Sequence, residues 1–590
     1  MHTCSPDHAG ESSSRDESCA VALADVKRAA IPLLLNLDAH SRVLDLTFDG
    51  WNFLGWALAG HVGQVDIVDI DPERLQQFAA HARQTPANHP ADLTYSSADK
   101  LPKLPFADEQ FDAVLLHGSL AHLPRHVSGA PHRTQEQFLT EVRRVLKQTG
   151  TLSLAVDNRY SYTNLADTLL RWRHARRDRG HAHSFGGYRA MLTRAGLRGQ
   201  ATYMAYPDYR QPRYLLPIEP PDVSARVWSD LFRRQFAPIR RGGLGTLGKR
   251  FASVASRSRW ARRFAPSFVI IAGASSASAA ASTGPAERII RHALGKKAVG
   301  LMLLVRHSHA AIVPTYLPDR DAMVYVKIPL SDDGNAALAR HFDFLELLDR
   351  KYAGQIPAPR PLARGTLDNH QHYYVESALD GAPGSRLAAG ATRLLDQAAE
   401  LITGVHCRTR AGHATEVAAR WETRLTELSH HPGVAASPEW GQVVRRFRQR
   451  VADLPCTVMA HHDYYLENVI FDDRGRAIGI LDWDAADEHG LPAVDLIHLM
   501  ASALKKRYRL RDAAALEQFS SGRHPKFAQM FQAYCRRLEL EPDLADWLSL
   551  YVVVRVWRMA NDDRFAPAAS MEYRRATDDI RDLLRWEGRV

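Results

Sequence analysis

The sequence predicts two successive modules, an α/β unit built on a parallel sheet covered by helices and an α+β two-lobed domain. Three observations carry that expectation. Strand-like and helix-like runs alternate from about Val21 onward. A run of small residues, ASSASAAASTGP at 274–285, then interrupts the pattern and suits a flexible tether. Finally, two acids that each end an apolar run, Asp463 and Asp482, flank an amide, Asn468. At 590 residues the chain exceeds what one core organises, and its 45% hydrophobic content can fill two.

Residues 1–20 are polar, carry acids where a signal peptide needs an apolar run, and are expected to form a disordered tail. Within 21–214 the runs RVLDLTF, QVDIVDID, FDAVLLH and TLSLAVDN alternate with helical stretches reaching Ala59, starting at Pro72, and near Gln135 to Leu146. Residues 215–285 hold a basic insertion, a last strand at APSFVII and the Ala/Ser linker, and 286–590 form the second module. The net charge of +10 is concentrated, because 233–263 contains ten Lys or Arg and no acid. Gly242, Gly243, Gly245 and Gly248 interrupt this run and no aromatic ladder accompanies it, so nucleic acid is not an expected partner. It reads as a solvated insertion or a peripheral contact with an anionic membrane surface. The apolar stretches are too short to span a bilayer. Five scattered cysteines with no CxxC spacing argue against a zinc site or disulfide framework and for a reducing cytoplasm.

The chemistry concentrates in VMAHHDYYLENVIFD, where His461, Asp463 and Asn468 make HxDxxxxN, and in IGILDWDAADEHGLPAVDLIHL, where Asp482 follows a second apolar run. Phosphoryl transfer needs such a set: hard oxygens for Mg²⁺ and a carboxylate to align a hydroxyl nucleophile. A single Asp or Asn of this kind is usually a loop cap, but the combination with GxPxxD at Gly490, Pro492 and Asp495 is not. The last 300 or so residues resemble the aminoglycoside phosphotransferase and choline kinase-like superfamily, relatives of protein kinases. That resemblance implies a two-lobed protein-kinase-like fold, Asp463 as catalytic base, Asn468 and Asp482 as magnesium ligands, and His461 and Asp495 as supports of the catalytic loop. It also implies ATP and Mg²⁺ as cofactors. His462 stands where the family often has glycine, and Asp484 is a candidate for a second metal.

Upstream, AMVYVKIPL offers Lys327 on an alternating run to hold nucleotide phosphates, and QHYYVESALDGAPG follows where such kinases grip adenine, near Glu376 and Ser377. The helix ALARHFDFLELLDRKY should carry an acid to pair the lysine. His341 aligns best with that position, and Asp343 and Glu346 are the nearby acids. A glycine-rich phosphate loop is not recognisable between Val299 and Pro318.

Residues 21 to about 214 resemble class I S-adenosylmethionine-dependent methyltransferases, with a Rossmann-like fold, through VLDL at 43–46, Asp69 after the second strand and Asp99 before LPKLPFADEQFDAV. The resemblance makes Asp45, Asp69 and Asp99 remnants of a cofactor site. The loop that should read GxGxG instead carries Thr47, Asp49 and Trp51 at its glycine positions, which argues against binding of S-adenosylmethionine and for an inactive or repurposed fold. Tyr206, Tyr209, Arg210 and Arg213 are either pocket-lining or cover a sheet edge.

The leading expectation is an ATP- and Mg²⁺-dependent kinase, a phosphotransferase acting on a hydroxyl of a small polar metabolite or glycan, with a degenerate methyltransferase-like N-terminal domain. The rivals are a catalytically inactive scaffold in a surface-glycan pathway and an active bifunctional methyltransferase-kinase.

Overall fold

Each apolar run of the first half ends where a helix begins, and that rhythm sets the sheet order. The structure, a computed structural model, describes residues 30–46, 54–58, 62–84, 92–97, 101–161, 180–206, 208–210, 212–218, 265–274, 284–300, 303–305, 310–367, 371–384, 391–412, 414–561 and 571–588. The tail at 1–20, the basic run at 233–263 and most of the 274–285 linker lie outside these residues. Among the described residues, no helix is long and apolar enough to cross a membrane. They pack as two compact units, one running to Asn335 together with Ala363–Val375, the other comprising Ala336–Leu362 and Glu376 onward.

In the first unit, β1 (Arg42–Leu46), α1 (Leu54–Leu58), β2 (Gln64–Asp69), α2 (Pro72–Gln84), β3 (Asp92–Ser97), β4 (Phe111–His117), α3 (Pro131–Val145) and β5 (Leu146–Asp157) alternate. The strands lie parallel in the order β5-β4-β1-β2-β3. The inner strands VLDL and AVLLH are buried without interruption, as parallel strands covered on both faces must be. After α4 (Phe185–Arg194), β6 (Arg198–Tyr206), β7 (Tyr214–Pro217) and β8 (Ser267–Gly273) extend the sheet antiparallel, β8 lying between β5 and β6. The sheet expected to be parallel is therefore mixed beyond β5. The turn from β6 to β7 is too short for the crossover that a parallel pair requires.

The sheet continues past β7. The next elements are α5 (Pro285–Leu294), β9 (Val299–Gly300), β10 (Leu303–Val305), β11 (Ala310–Leu317), β12 (Ala322–Pro329), α6 (Asp332–Tyr352), β13 (Pro361–Thr366) and β14 (His372–Ser377). β10 pairs antiparallel with β7, Leu303 opposite Leu215 and Leu304 opposite Tyr214, so one 14-stranded sheet runs from β3 to β13. The core follows the sheet: Val43, Val65 and Leu115 share one apolar cluster with Ile289, Ile290, Val313, Val326 and Val375.

The second unit surrounds short strands with helices: β15 (Ala382–Pro383), α7 (Ala391–Thr409), α8 (Ala414–Ser429), α9 (Trp440–Ala452), β16 (Val458–Ala460), β17 (Val469–Phe471), β18 (Ala477–Ile480), β19 (Asp487–Gly490), α10 (Val494–Tyr508), α11 (Asp512–Ser520), α12 (Pro525–Leu538), α13 (Leu544–Ala560) and α14 (Met571–Glu587). α13 is buried nearly all round, as a helix at the centre of a bundle should be, and Arg555 and Arg558 break its apolar surface.

Full burial of a branched aliphatic side chain is worth about 1.5–3 kcal/mol, so exposing the face formed by Ile289, Ile290, Leu303, Val313 and Val326 is costly. A chain beginning at residue 286 is therefore expected to aggregate where the full chain stays monodisperse, as size-exclusion chromatography of both would show.

Candidate active site

The loop after β16 takes its shape from one buried carboxylate. Asp495, in the first turn of α10, accepts the backbone N–H of His461 on Oδ2 and that of His462 on Oδ1, both at 2.7 Å. His406 Nε2–H donates to the same carboxylate at 3.2 Å. Tyr534 hydroxyl donates to His406 Nδ1 at 2.7 Å while accepting the Ala493 N–H at 2.8 Å. Burial alone would raise the Asp495 carboxyl, yet His406 and the neighbouring histidines hold it well below the usual carboxylate range. Gly490 is required nearby, because a Cβ there would lie 2.3 Å from Ala460 Cβ.

His461 joins this loop to the next. Its Nδ1 accepts the Asp463 N–H at 3.3 Å, which leaves Nε2–H to donate to Leu481 carbonyl at 2.8 Å. β17 and β18 form a hairpin in which Val469 faces Ile480, and Leu481 N–H donates to Asn468 carbonyl at 2.8 Å. Asn468 and Asp482 therefore lie at the same end of the hairpin. Asn468 Nδ2 donates to Asp463 carbonyl at 3.0 Å and weakly to Asp463 Oδ2 at 3.4 Å, so its Oδ1 is left for another partner.

Three non-glycine residues here hold left-handed backbone, His462 (φ 63°), Asp482 (φ 67°) and Ala493 (φ 65°). Such strain persists where surrounding bonds over-determine the chain, and it collects at functional sites. Burial, then the Asp482 charge, pushes the Asp484 carboxyl up, and Asp463 adds to the repulsion. A divalent cation would relieve this crowding. Asn468 and Asp482 could hold a cation together with oxygens of a substrate, a set that Mg²⁺ accepts.

His341, on α6, is buried. Its Nδ1 accepts the Trp483 N–H at 3.0 Å, and its Nε2–H donates to Glu376 Oε2 at 2.7 Å. Trp483 itself stacks on Phe344 and meets His461 edge-on. Ser377 hydroxyl accepts the Arg360 N–H at 2.8 Å, and Ser377 N–H returns a bond to Arg360 carbonyl. Lys327 sits half-buried on β12 opposite Ile312, in the first unit. Residues 306–309, between β10 and β11, lie outside the described residues.

At the methyltransferase-like end, Asp45 accepts the Gly55 N–H at 2.6 Å. Both oxygens of the buried Asp69 are engaged by Arg74, through Nε at 2.8 Å and through Nη2. Asp99 and the loop from Thr47 to Trp51 lie outside the described residues. Tyr209 is buried beneath Arg210, whose guanidinium binds Asp157, at the end of β5, at 3.1 Å.

Sequence reasoning passed over His406, Tyr534, Trp483, His498, Tyr551 and Arg555. His498 alone carried a local signal, since it lies three residues after Asp495 on one helix face.

Residues 313–531 match the model of the phosphotransferase enzyme family, and residues 48–154 match that of a methyltransferase domain. Residues 313–531 are thus similar to phosphotransferases and residues 48–154 to methyltransferases. Among solved structures, a thermostable mutant of aminoglycoside phosphotransferase APH(4)-Ia bound to AMP-PNP and hygromycin B is 16% identical, covering 51% of this chain and 98% of its own, with a TM-score of 0.38. YcgJ of Bacillus subtilis is 17% identical over 42% of this chain and 95% of its own, TM-score 0.25. A methyltransferase bound to its Haloferax volcanii Trm112 activator is 18% identical over 46% and 99%, TM-score 0.28. No curated protein matches the chain.

Two stability tests follow from the loop. Removing His406 leaves Asp495 buried without one donor and Tyr534 without its acceptor, so His406→Ala should cost about 3 kcal/mol in urea denaturation. His462 is wholly buried, and desolvation brings its imidazole down to about 4 from an ordinary 6.5. Between those values the unfolded chain takes up a proton that the folded chain refuses. Stability from this group is complete above pH 6.5 and falls as the pH drops toward 4, by about 3 kcal/mol at most. Melting temperatures of wild type and His462→Gly between pH 7.5 and 4.5 should show the shallower slope in the variant.

Proposed function

We propose that this protein transfers the γ-phosphoryl group of ATP, with Mg²⁺, to a hydroxyl of a small polar metabolite or glycan. The observation that carries the reading is the placement of Asp463 on a loop pinned by Asp495, with Asn468 and Asp482 at one end of the neighbouring hairpin. The match to the phosphotransferase enzyme family supports it.

Asn468, through its remaining oxygen, and Asp482 would hold the magnesium. When bound, that ion neutralises charge developing on the phosphoryl oxygens. Asp463 orients the acceptor hydroxyl in line with the phosphoryl group and accepts its proton. His461 and Asp495 keep the base and the metal ligands in fixed relation through backbone bonds. Lys327 takes the nucleotide phosphates, and the segment at Glu376 and Ser377 takes the base. The methyltransferase-like fold is read as degenerate, because Arg74 already engages the carboxylate that would bind a cofactor ribose.

Wild-type protein should gain melting temperature with ATP and Mg²⁺ together. Asp482→Asn should abolish that gain. Asp463→Asn should keep it while lowering ADP release by about a thousandfold, the middle of the range for losing a positioned base. Full activity in Asp463→Asn would overturn the base assignment, and no shift in wild type at millimolar ATP would favour a scaffold. Calorimetry with S-adenosylmethionine should give no heat, whereas micromolar binding would restore the bifunctional reading.

A further inference from the structure

The wall beside Asp463 is built from two helix faces. α10 contributes His498 and Lys505, two turns apart, and α13 contributes Tyr551 and Arg555, one turn apart. His498 is buried, and its Nε2 lies 3.9 Å from Asp463 Oδ1. Tyr551 hydroxyl and His498 Nδ1 share a hydrogen bond at 3.0 Å, which leaves Nε2 as the ring nitrogen on the side of the base. Desolvation, reinforced by Arg555, keeps the His498 imidazole well below its ordinary range and neutral.

Beneath these groups lies one carboxylate for two cations. Asp512 accepts Lys505 Nζ at 2.6 Å and Arg555 Nη2 at only 3.5 Å. Burial would raise the Asp512 carboxyl, but Arg555 and Lys505 bring it down to about 2. Asp579, which also faces Lys505, is bound by Arg511 at 2.6 Å. Among the described residues Arg555 makes no other hydrogen bond, and its buried Nε has no partner. A fork of N–H donors is therefore left under-used, and Asp463 acts on it as well as Asp512.

We propose that His498, Lys505, Tyr551 and Arg555 form the acceptor subsite, and that the acceptor carries a carboxylate or phosphate alongside the hydroxyl it offers. This inference rests on the kinase reading above. A guanidinium engages such anions through two parallel bonds, a match that a neutral or cationic acceptor lacks. In the step itself the acceptor oxygen forms a bond to the γ-phosphorus and the bond from that phosphorus to the β–γ bridging oxygen breaks. ADP leaves with the electron pair, and the hydroxyl proton passes to Asp463.

The test uses the full chain saturated with Mg²⁺ and a non-hydrolysable ATP analogue, titrated calorimetrically with glycerol, ethanolamine, glycerate and glycerol phosphate. The anionic pair should bind at least tenfold more tightly than the neutral and cationic members, and Arg555→Gln should remove that advantage while leaving the nucleotide-dependent melting shift in place. Glycerate against glycerol phosphate separates carboxylate from phosphate. Should Arg555→Gln fail to fold, Arg555→Lys, which keeps the charge and loses the fork, must still weaken the anions alone. Equal binding of all four probes, binding of none, or an unchanged anion preference in the variant would overturn the proposal and leave Arg555 as a purely internal counter-ion. Absence of any nucleotide-dependent shift would instead remove the kinase reading, and this inference with it.

Discussion

The second unit depends on the bonds made to one carboxylate. Asp495 is fully buried, and an ion in that position is tolerable only when several donors replace its lost water. Two of its three donors are consecutive backbone N–H groups, which can point at one carboxylate only if the chain between them turns sharply. The left-handed backbone at His462 is that turn. The bonds that make Asp495 acceptable in the interior are thus the same ones that impose the shape of the loop bearing Asp463.

From there, order passes along the backbone through two neutral histidines. His461 uses one nitrogen on the Asp463 N–H and the other on Leu481 carbonyl. His341 uses one on the Trp483 N–H and the other on Glu376. Asp482 lies between Leu481 and Trp483, so both of its flanking peptide groups are held by imidazoles from different elements. This arrangement explains how a left-handed aspartate is kept in place with no side-chain hydrogen bond among the described residues. Glu376, buried in contact with His341, joins the same bonded network.

Much of this was legible because some patterns are local. Alternating strands and helices, the HxDxxxxN spacing and the GxPxxD run are short-range features, and a parallel sheet covered by helices follows from the first of them. What escaped was contributed from far away in the chain. His406 and Tyr534 sit on helices whose polar residues have no sequence motif, and their value comes only from facing Asp495. Arg555 is one of two basic residues in a largely apolar helix, a pattern that equally suits a solvated edge. The antiparallel continuation of the sheet escaped for a related reason: β7 and β10 are four and three residues long, and neither run specifies its partner.

That pairing also bears on the order in which the chain is made. β7 is synthesised well before β10, and until the later strand arrives its free edge shows unpaired N–H and C=O groups flanked by Leu215 and Leu216. An open, apolar edge of this kind invites pairing with another nascent chain. The ribosome-bound intermediate ending before residue 303 is consequently the species most exposed to misassembly, and the segment that follows it acts as the edge's own intramolecular cover.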